Sequence, residues 1–599
     1  VNAPQTLTGD MILVLVLIGL TVLLFIVEWV RIDVVALLMM EVLPMLGLVS
    51  GEEAFAGLAS NAVVSIIAVI IIGHGLDHTR VVGRLVRPVV RLAGRSPGRV
   101  MALMSATVAV VSSFMQNIGA AALFLPALRR VTRQTGIPLS RLLMPVGFAA
   151  ILGGTVTLVG SSPLILLNDL LAPFGLEPFG LFSVTPVGLL LVAAGIGYFL
   201  VLGRWVLPVR EEGEEVCGFD PTRDYPLVGR LFELVMPANA SETPRVMDLC
   251  DQFWVHPVAL SPDGGHTRFL PPDRETPIPP GSVLAAYGPP DKVQEMARRY
   301  GMEIRPDLEL FADELASDVA GVVEAVVTPR SPFVGRTIGE VHFRHHYHVT
   351  PLAVMRRDRI HYHRLRAVRL EPGDAILMHG TWERFYLLRM KRYFLYSHPI
   401  DHEIMHPHKA AAAVACFALA MGLVIFSPLK LSVCLMAGAV GMILTGVLSV
   451  DEAYRAVDWR TVFLLAGLIP LGLATEKSGT AAWLAARVLE LLGEPSPLEL
   501  YLAVGVLSTV FTLVISNVGA VVLLVPLVVS LAQDAGADPR LAALIVGLAT
   551  SNSFLLPTHQ VNALYMGPGR YTSRDFLRAG GPLSLVFLAV MTLCVWLFY

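Results

Sequence analysis

Ser112-Ser113-Phe114-Met115-Gln116-Asn117-Ile118-Gly119-Ala120-Ala121-Ala122-Leu123-Phe124-Leu125-Pro126 is apolar enough to sit in lipid, yet two side-chain amides and a glycine interrupt its centre. Ser516-Asn517-Val518-Gly519 echoes it, and each asparagine has a proline nine residues on, Pro126 and Pro526. An asparagine and a glycine at the weak point of a hydrophobic hairpin, once in each half of the chain, point to a pair of broken helices. Many secondary transporters build a binding site at the membrane midplane in this way.

Apolar residues make up 54% of the 599 residues and charged residues 16%, against about 25% charged in a soluble chain. The excess lies in residues 11–204 and 410–598, while residues 205–408 have an ordinary aqueous composition. The chain therefore reads as a polytopic α-helical membrane protein with a soluble insert, divided as 1–204, 205–305, 306–408 and 409–599. The net charge of −3 says little, because orientation depends on local Lys and Arg placement. No nucleic-acid partner is expected. Cys217, Cys250, Cys416, Cys434 and Cys594 show neither CxxC nor metal spacing and read as free thiols. The first apolar segment lacks a basic flank and a small-residue cleavage site, so it reads as a span rather than a signal peptide.

A span needs about 17–25 apolar residues. Met11–Val30, Ile32–Val49, Ala62–Leu76 and Val184–Leu202 fill that role in the first half, Ala62–Leu76 being somewhat short. Met101–Thr132 is too long for one span and too short for two, which predicts a re-entrant hairpin. Leu142–Leu171 is interrupted by Gly153-Gly154-Thr155-Val156-Thr157-Leu158-Val159-Gly160-Ser161-Ser162-Pro163. Unwound backbone at that depth is tolerated only where it is buried in protein or lines a cavity. Arginines at 80, 84, 87, 91, 95 and 99 fall on one helical face, so Asp77–Arg99 reads as an amphipathic interfacial helix. With the amino terminus outside, these arginines join Arg31, Arg129, Arg130, Arg133, Arg141 and Arg204 on the cytoplasmic side, opposite Glu52, Glu53 and Glu177.

The order recurs after residue 409. Ala410–Phe426, Leu431–Leu448 and Thr461–Thr475 are spans, Ala481–Leu492 is amphipathic, and Leu500–Ala532 is a hairpin. Leu541–Met566 is a broken span and Leu583–Leu597 the last one. Five spans per half is an odd number, so the second half enters inverted. Arg570, Arg574 and Arg578 then lie inside, although Lys477, Arg487 and Arg540 weaken the bias by falling outside. The expected fold is an inverted-topology repeat of five spans plus one re-entrant hairpin per half, with both termini outside and residues 205–408 cytoplasmic.

The asparagine-bearing tips resemble the Ser-Asn-Thr signatures of the divalent anion/sodium symporter family, the dicarboxylate and sulfate cotransporters of the ion-transporter superfamily. Ser551-Asn552-Ser553-Phe554-Leu555-Leu556-Pro557 with Asn562-Ala563 and Gly567, and Tyr571-Thr572-Ser573-Arg574-Asp575-Phe576-Leu577-Arg578-Ala579-Gly580, extend the likeness over both membrane halves. It implies a transporter rather than an enzyme, in a plasma membrane (a bacterial inner membrane), coupling sodium to uptake of sulfate or a dicarboxylate. There are departures. Ile118 and Val518 stand where the family has threonines that help hold substrate carboxylates, and Thr558-His559-Gln560-Val561-Asn562 replaces Thr-Pro-Pro-Asn.

Carried onto this chain, the resemblance implies two sodium sites. One takes Asn117 with Gly153, Gly154, Thr155 and Gly160, the other Asn517 with Thr550, Ser551, Asn552 and Ser553. Substrate is assigned to Gln116, Asn117, Ser161, Ser162, Ser516, Asn517, Thr558, His559, Gln560 and Asn562. With no Lys or Arg near the tips, charge compensation falls to sodium and half-helix ends. No cofactor or metal besides sodium is expected. An asparagine in an apolar helix also serves as helix–helix glue. His559 reads equally as a proton-coupling group or as a neutral hydrogen-bonding histidine. A sodium/proton or metalloid exchanger, and a ligand-gated channel or sensor, therefore stay open; the lack of a TVGYG-like filter argues against a potassium channel.

The insert holds one pattern twice. The clear copy includes Glu324–Pro329, Pro332–Thr337, Pro351–Val354 and Glu371–Gly380; the degenerate copy includes Glu233–Pro237, Val258–Leu260 and Pro280–Gly288. These predict small α/β modules and resemble the TrkA C-terminal module of potassium-conductance regulators. No GxGxxG follows a strand, so no NAD site is expected. The resemblance implies an unknown small regulatory ligand and, because such modules pair, a homodimer. His342, His345, His346, His348, His361 and His363 cluster without companion carboxylates or cysteines, so a metal site is weighed against solvated surface histidines.

Overall fold

A computed structural model of the chain describes residues 7–27, 29–81, 89, 92, 94, 96–210, 225–240, 242–305, 308–312, 314–316, 319–357, 359–391, 393–397, 405–492 and 495–599. Arg84, Arg87, Arg91 and Arg95 of the expected interfacial helix lie outside them, as does Cys217. The chain divides into two units, Val1–Gly213 with His406–Tyr599, and Glu214–Met405.

In the first unit, six helices among the described residues are long and apolar enough to cross a membrane, or seven if the bent pair Val450–Ala456 and Trp459–Lys477 is one span. This is a polytopic membrane protein. Helix boundaries recur between its halves. Gly9–Val27, Ile32–Met45, Asn61–His78, Pro97–Ser112, Asn117–Thr135, Leu139–Gly153, Ser162–Leu171 and Thr185–Val206 are followed in the same order by a second set. That set is Ala410–Phe426, Leu431–Leu444, Trp459–Lys477, Pro497–Val514, Asn517–Asp534, Pro539–Ala549, Gln560–Gly569 and Ser573–Phe598.

Local chemistry recurs with the boundaries. Ser50 and Glu53 form a capping box that starts Gly51–Ala56, and Ser449 and Glu452 form one that starts Val450–Ala456. These short helices are too brief to show a period in the sequence. Left-handed Gly136 (φ 72°) and Gly536 (φ 68°) follow the second arms of the two hairpins. Ile32–Met45 packs on Trp459–Lys477, and Leu431–Leu444 reciprocally on Asn61–His78. A Cβ on Gly467 would sit 2.4 Å from Ala36 O, so the first crossing depends on glycine. The hairpins are longer than their apolar stretches suggest. In the second, each arm has 18 residues, a rise of about 27 Å, because Ser496 and Glu499 cap a helix that starts in polar sequence.

The second unit contains two antiparallel sheets. The first has β1 (Arg230–Val235), β2 (His256–Ser261), β3 (Val283–Gly288) and β4 (Glu303–Arg305) in the order β2-β3-β1-β4. The second has β5 (Ala320–Val327), β6 (Thr350–Arg356), β7 (Arg359–His361), β8 (Ala375–Thr381) and β9 (Phe394–Tyr396) in the order β7-β6-β8-β5-β9. The arrangement is the same with β7 added at one edge. Buried Glu233 of β1 accepts the backbone N–H groups of Glu309, Leu310 and Phe311, at 3.0, 2.8 and 3.2 Å. Glu324 of β5 accepts Tyr225 Oη at 2.6 Å and Ser397 Oγ at 2.8 Å.

The sheets meet through equivalent positions. Tyr287 pairs with His256 across β3 and β2, His379 pairs with Thr350 across β8 and β6, and the rings of Tyr287 and His379 lie 5.4 Å apart. Buried Arg344 donates to Pro257 O (2.9 Å) of β2 and to Pro272 O (3.2 Å) in the connection between β2 and β3. Burial, with Arg344 adding, pushes the imidazoles of His256 and His379 down to about 3, so both are neutral. The two sheets thus pack on each other within one chain. Among the described residues no group of three His, Cys, Asp or Glu side chains is placed to hold a metal.

Candidate functional site

Each hairpin turns at a helix break, and in each the second arm begins at the asparagine, Asn117 or Asn517. The first N–H groups of a helix have no intrahelical partner; here one of them, Gly519 N–H, is taken by Ser516 Oγ at 3.1 Å. The carboxamides are held alike. Ser112 Oγ lies 2.8 Å from Asn117 Oδ1 and 2.7 Å from Ala150 O. Thr512 Oγ1 lies 2.6 Å from Asn517 Oδ1 and 3.0 Å from Thr550 O. A hydroxyl has one proton to donate, so each stands between two competing acceptors. Both tips therefore carry a hydroxyl, a carboxamide oxygen and a main-chain carbonyl, at the same chain spacing.

The carbonyls come from the ends of Leu139–Gly153 and Pro539–Ala549, where each span unwinds. A Cβ on Gly154 would sit 2.5 Å from Asn117 Oδ1, and one on Gly160 would sit 2.9 Å from Gly154 O and 3.0 Å from Ser112 O. Gly154 thus lets the backbone approach the Asn117 carboxamide, and Gly160 lets it approach the carbonyls of Gly154 and Ser112. The hydroxyls of Thr155 and Thr157 turn to Leu152 O (2.7 Å) and Ser113 O. In the second break Thr550 Oγ1 donates to Gly547 O (2.9 Å), and Ser551, Asn552 and Ser553 are buried. Asn562 Nδ2 donates to Ser553 O at 2.9 Å and Leu556 O at 3.4 Å.

Other expected site residues take no part in the hydrogen bonds of these triads. Gln116 is the N-cap of its arm without a side-chain capping bond, and Ser161 is the buried N-cap of Ser162–Leu171. Thr558 and Gln560 are exposed. His559 caps Gln560–Gly569, its Nδ1 accepting Val561 N–H at 3.2 Å. The sequence reading missed Ser112, Thr512 and the carbonyls of Ala150 and Thr550. A signal for the hydroxyls was present, since one stands five residues before each asparagine. It also missed Tyr565 and Tyr571, whose hydroxyls donate to Ala121 O (2.7 Å) and Ser140 O (2.5 Å) and brace the first half from the second.

Neutral oxygens gathered at helix breaks suit a small hard cation, and the adjoining helix N-termini favour an anion. The citrate transporter family profile matches residues 22–547. The uncharacterized transporter sll0640 of Synechocystis is 32% identical over 599 residues, covering 98% of this chain and 97% of its own. The uncharacterized transporter YfbS of Escherichia coli is 28% identical over 614 residues, with 98% and 99% covered. Sodium/sulfate cotransporter 2 of Chlamydomonas reinhardtii is 23% identical over 392 residues, with 61% of this chain and 43% of that protein covered.

Proposed function

The chain belongs to the citrate transporter family, and from that membership we propose that this secondary transporter carries a small divalent anion, sulfate ahead of a dicarboxylate, into the cell together with sodium. The observation that carries the reading is the repeated triad of hydroxyl, asparagine and carbonyl, Ser112/Asn117/Ala150 and Thr512/Asn517/Thr550. Sodium binds at each asparagine oxygen. As it does so, the hydroxyl proton turns to the carbonyl already within reach, so ion capture needs a rotation rather than a rearrangement.

The anion sits between the tips, on N–H groups of the half-helices that begin at Asn117, Ser162, Asn517 and Gln560. No Lys or Arg occurs in the breaks 113–116, 154–161, 515–516 and 550–559. Sodium then supplies the only full positive charge beside the anion, which makes anion binding conditional on sodium. Ile118 and Val518 place methyl groups where hydroxyls would meet a carboxylate, and the relative named as a sodium/sulfate cotransporter agrees with a compact oxyanion. The citrate named in the family description is the bulkier alternative.

The membrane halves are read as repeats, which the reciprocal helix packing supports, of inverted topology because each half holds an odd number of spans, and alternating access as their relative motion. The second unit is read as two cytoplasmic regulatory modules of the TrkA C-terminal kind, answering to a small ligand, and the carrier as a homodimer. The test is uptake of radiolabelled sulfate and succinate into proteoliposomes, with inward sodium, proton or choline gradients. Sulfate accumulation that requires sodium is expected. Failure of both anions under every cation gradient would sink the reading, and proton efflux driven by sodium alone would replace it with an exchanger.

A further inference from the structure

Behind the second break lies a group of buried oxygens that the two triads do not use. Asn552 is fully buried; its Nδ2 donates to Thr509 Oγ1 at 3.2 Å and lies 3.5 Å from Ser584 O. Thr509 gives its own proton to Gly505 O at 2.8 Å. Turning the carboxamide over would set its oxygen against two acceptors, so this orientation holds and Oδ1 is aimed away from them. Oδ1 of Asn552, Oγ of Ser584 and Oγ of the adjacent Ser553 are all buried with no hydrogen-bond partner among the described residues. Each such orphan is costly unless something satisfies it.

The first half does not share this corner. At the spacing that superposes the tip asparagines, Thr509 and Asn552 correspond to Ala109 and Leu152. Gly188 packs on Thr155 O as Gly580 packs on Phe554 O, so Ser584, four residues on, corresponds to Val192. Three apolar side chains in one repeat are polar in the other, all at one place.

We propose that Asn552, Ser584 and Ser553 form a cation position of their own, separate from the tip asparagines and present only in the second half. The orphans are all neutral oxygens. A divalent ion calls for carboxylates and a transition metal for nitrogen or sulfur, so the occupant is a monovalent ion of sodium size. The position rests on the sodium-coupled reading and adds an asymmetric ion to its two symmetric ones.

The test counts radiosodium bound by the full chain in detergent, with choline replacing sodium at constant ionic strength. Ser584→Ala removes one hydroxyl and Asn552→Leu the carboxamide; both should bind one fewer sodium than the parent and show a lower Hill coefficient for sodium in uptake. Ser584→Thr keeps the hydroxyl and should keep the parent count, which separates ion binding from packing. Monodisperse elution is required of every variant, and Ser584→Ala, the smaller change, decides if Asn552→Leu fails to fold. If both variants keep the parent count while Thr512→Val loses an ion, the corner holds water and this inference is overturned with the tips intact. If the parent binds no sodium, the sodium-coupled reading itself falls, and this position with it.

Discussion

Thr512 Oγ1 reaches Asn517 Oδ1 at 2.6 Å, and Ser112 Oγ reaches Asn117 Oδ1 at 2.8 Å, each with a main-chain carbonyl as its second acceptor. The residue differs between the halves while the hydroxyl is kept. Interhelical glue would require only some polar partner for the asparagine. A repeated set of three oxygens drawn from both hairpin arms and the adjoining unwound span is the arrangement that the proposed sodium sites require.

Thr512→Val keeps the shape of the side chain and removes its hydroxyl. A lost hydrogen bond of about 1–1.5 kcal/mol corresponds to roughly tenfold weaker sodium binding. The half-saturating sodium concentration for uptake should rise by that factor, and Thr512→Ser should restore it. Ser112→Ala should act in the same direction. An unchanged half-saturation in both Thr512→Val and Ser112→Ala would remove these hydroxyls from coupling.

Neighbouring glycines in the first break should fail in different ways. A Cβ on Gly153 would meet Ala109 backbone, at 2.5 Å from its oxygen and 2.6 Å from its Cα. Backbone cannot swing aside, so Gly153→Ala should destabilise the membrane unit by about 1–3 kcal/mol. Gly154 has an ordinary helical φ of −61°, and the three atoms nearest its Cβ would all belong to the Asn117 carboxamide, a side chain that can turn. Gly154→Ala should therefore keep its melting temperature and lose sodium affinity. Melting curves beside sodium titrations of uptake check both; equal melting losses would contradict the distinction.

Much of this was legible in the chain because lipid imposes strong rules. Asn117 and Asn517 stand out because amides and glycines are conspicuous in an apolar run, and the helix breaks at 154–161 and 550–559 coincide with the Gly, Ser and Pro clusters. Ser112 and Thr512 passed unnoticed because a hydroxyl bonded to a nearby carbonyl is unremarkable in an apolar helix. Only the structure shows that the second acceptor lies on another element, 38 residues away. The short helices at 51–56 and 450–456 announce themselves through caps rather than period. The pairing of Tyr287 with His379 has no local signal, since it arises where two sheets meet.

That meeting predicts acid sensitivity in the second unit. His256 and His379 titrate near 3 in the fold because burial disfavours their charged forms, against about 6.5 in an unfolded chain. Between those values the unfolded state binds protons that the folded state refuses. The stability is therefore complete above about pH 6.5 and falls as pH drops towards 3, by about 2 kcal/mol per histidine at pH 5. Hydrogen exchange in strands β2 and β8 of the full chain should quicken from pH 7 to pH 5 beyond the intrinsic rate change. His379→Gln should blunt that response. Equal protection at both values in the parent would show that these imidazoles do not control the unit.

The proposed preference for sulfate predicts that substrate choice turns on the second residue of each arm. Ile118 is half-buried and Val518 buried, each directly after the asparagine that starts its helix. A threonine there offers a hydroxyl at the mouth of the helix N-terminus, where a carboxylate would accept it; the β-branched apolar residue offers methyl groups and the same bulk. Sulfate is compact and can take its hydrogen bonds from backbone N–H groups alone, whereas a dicarboxylate has two distant charged ends that each need donors. The double change Ile118→Thr with Val518→Thr preserves shape at both tips and adds a donor at each. It should raise succinate uptake relative to sulfate by roughly tenfold or more, the worth of one or two hydrogen bonds of about 1 kcal/mol or slightly more. Sodium dependence should stay, because the asparagine oxygens are untouched. Competition of unlabelled succinate against labelled sulfate, in parent and double variant, measures the ratio. A ratio that does not move, in a variant that still transports sulfate, would place selectivity elsewhere in the site.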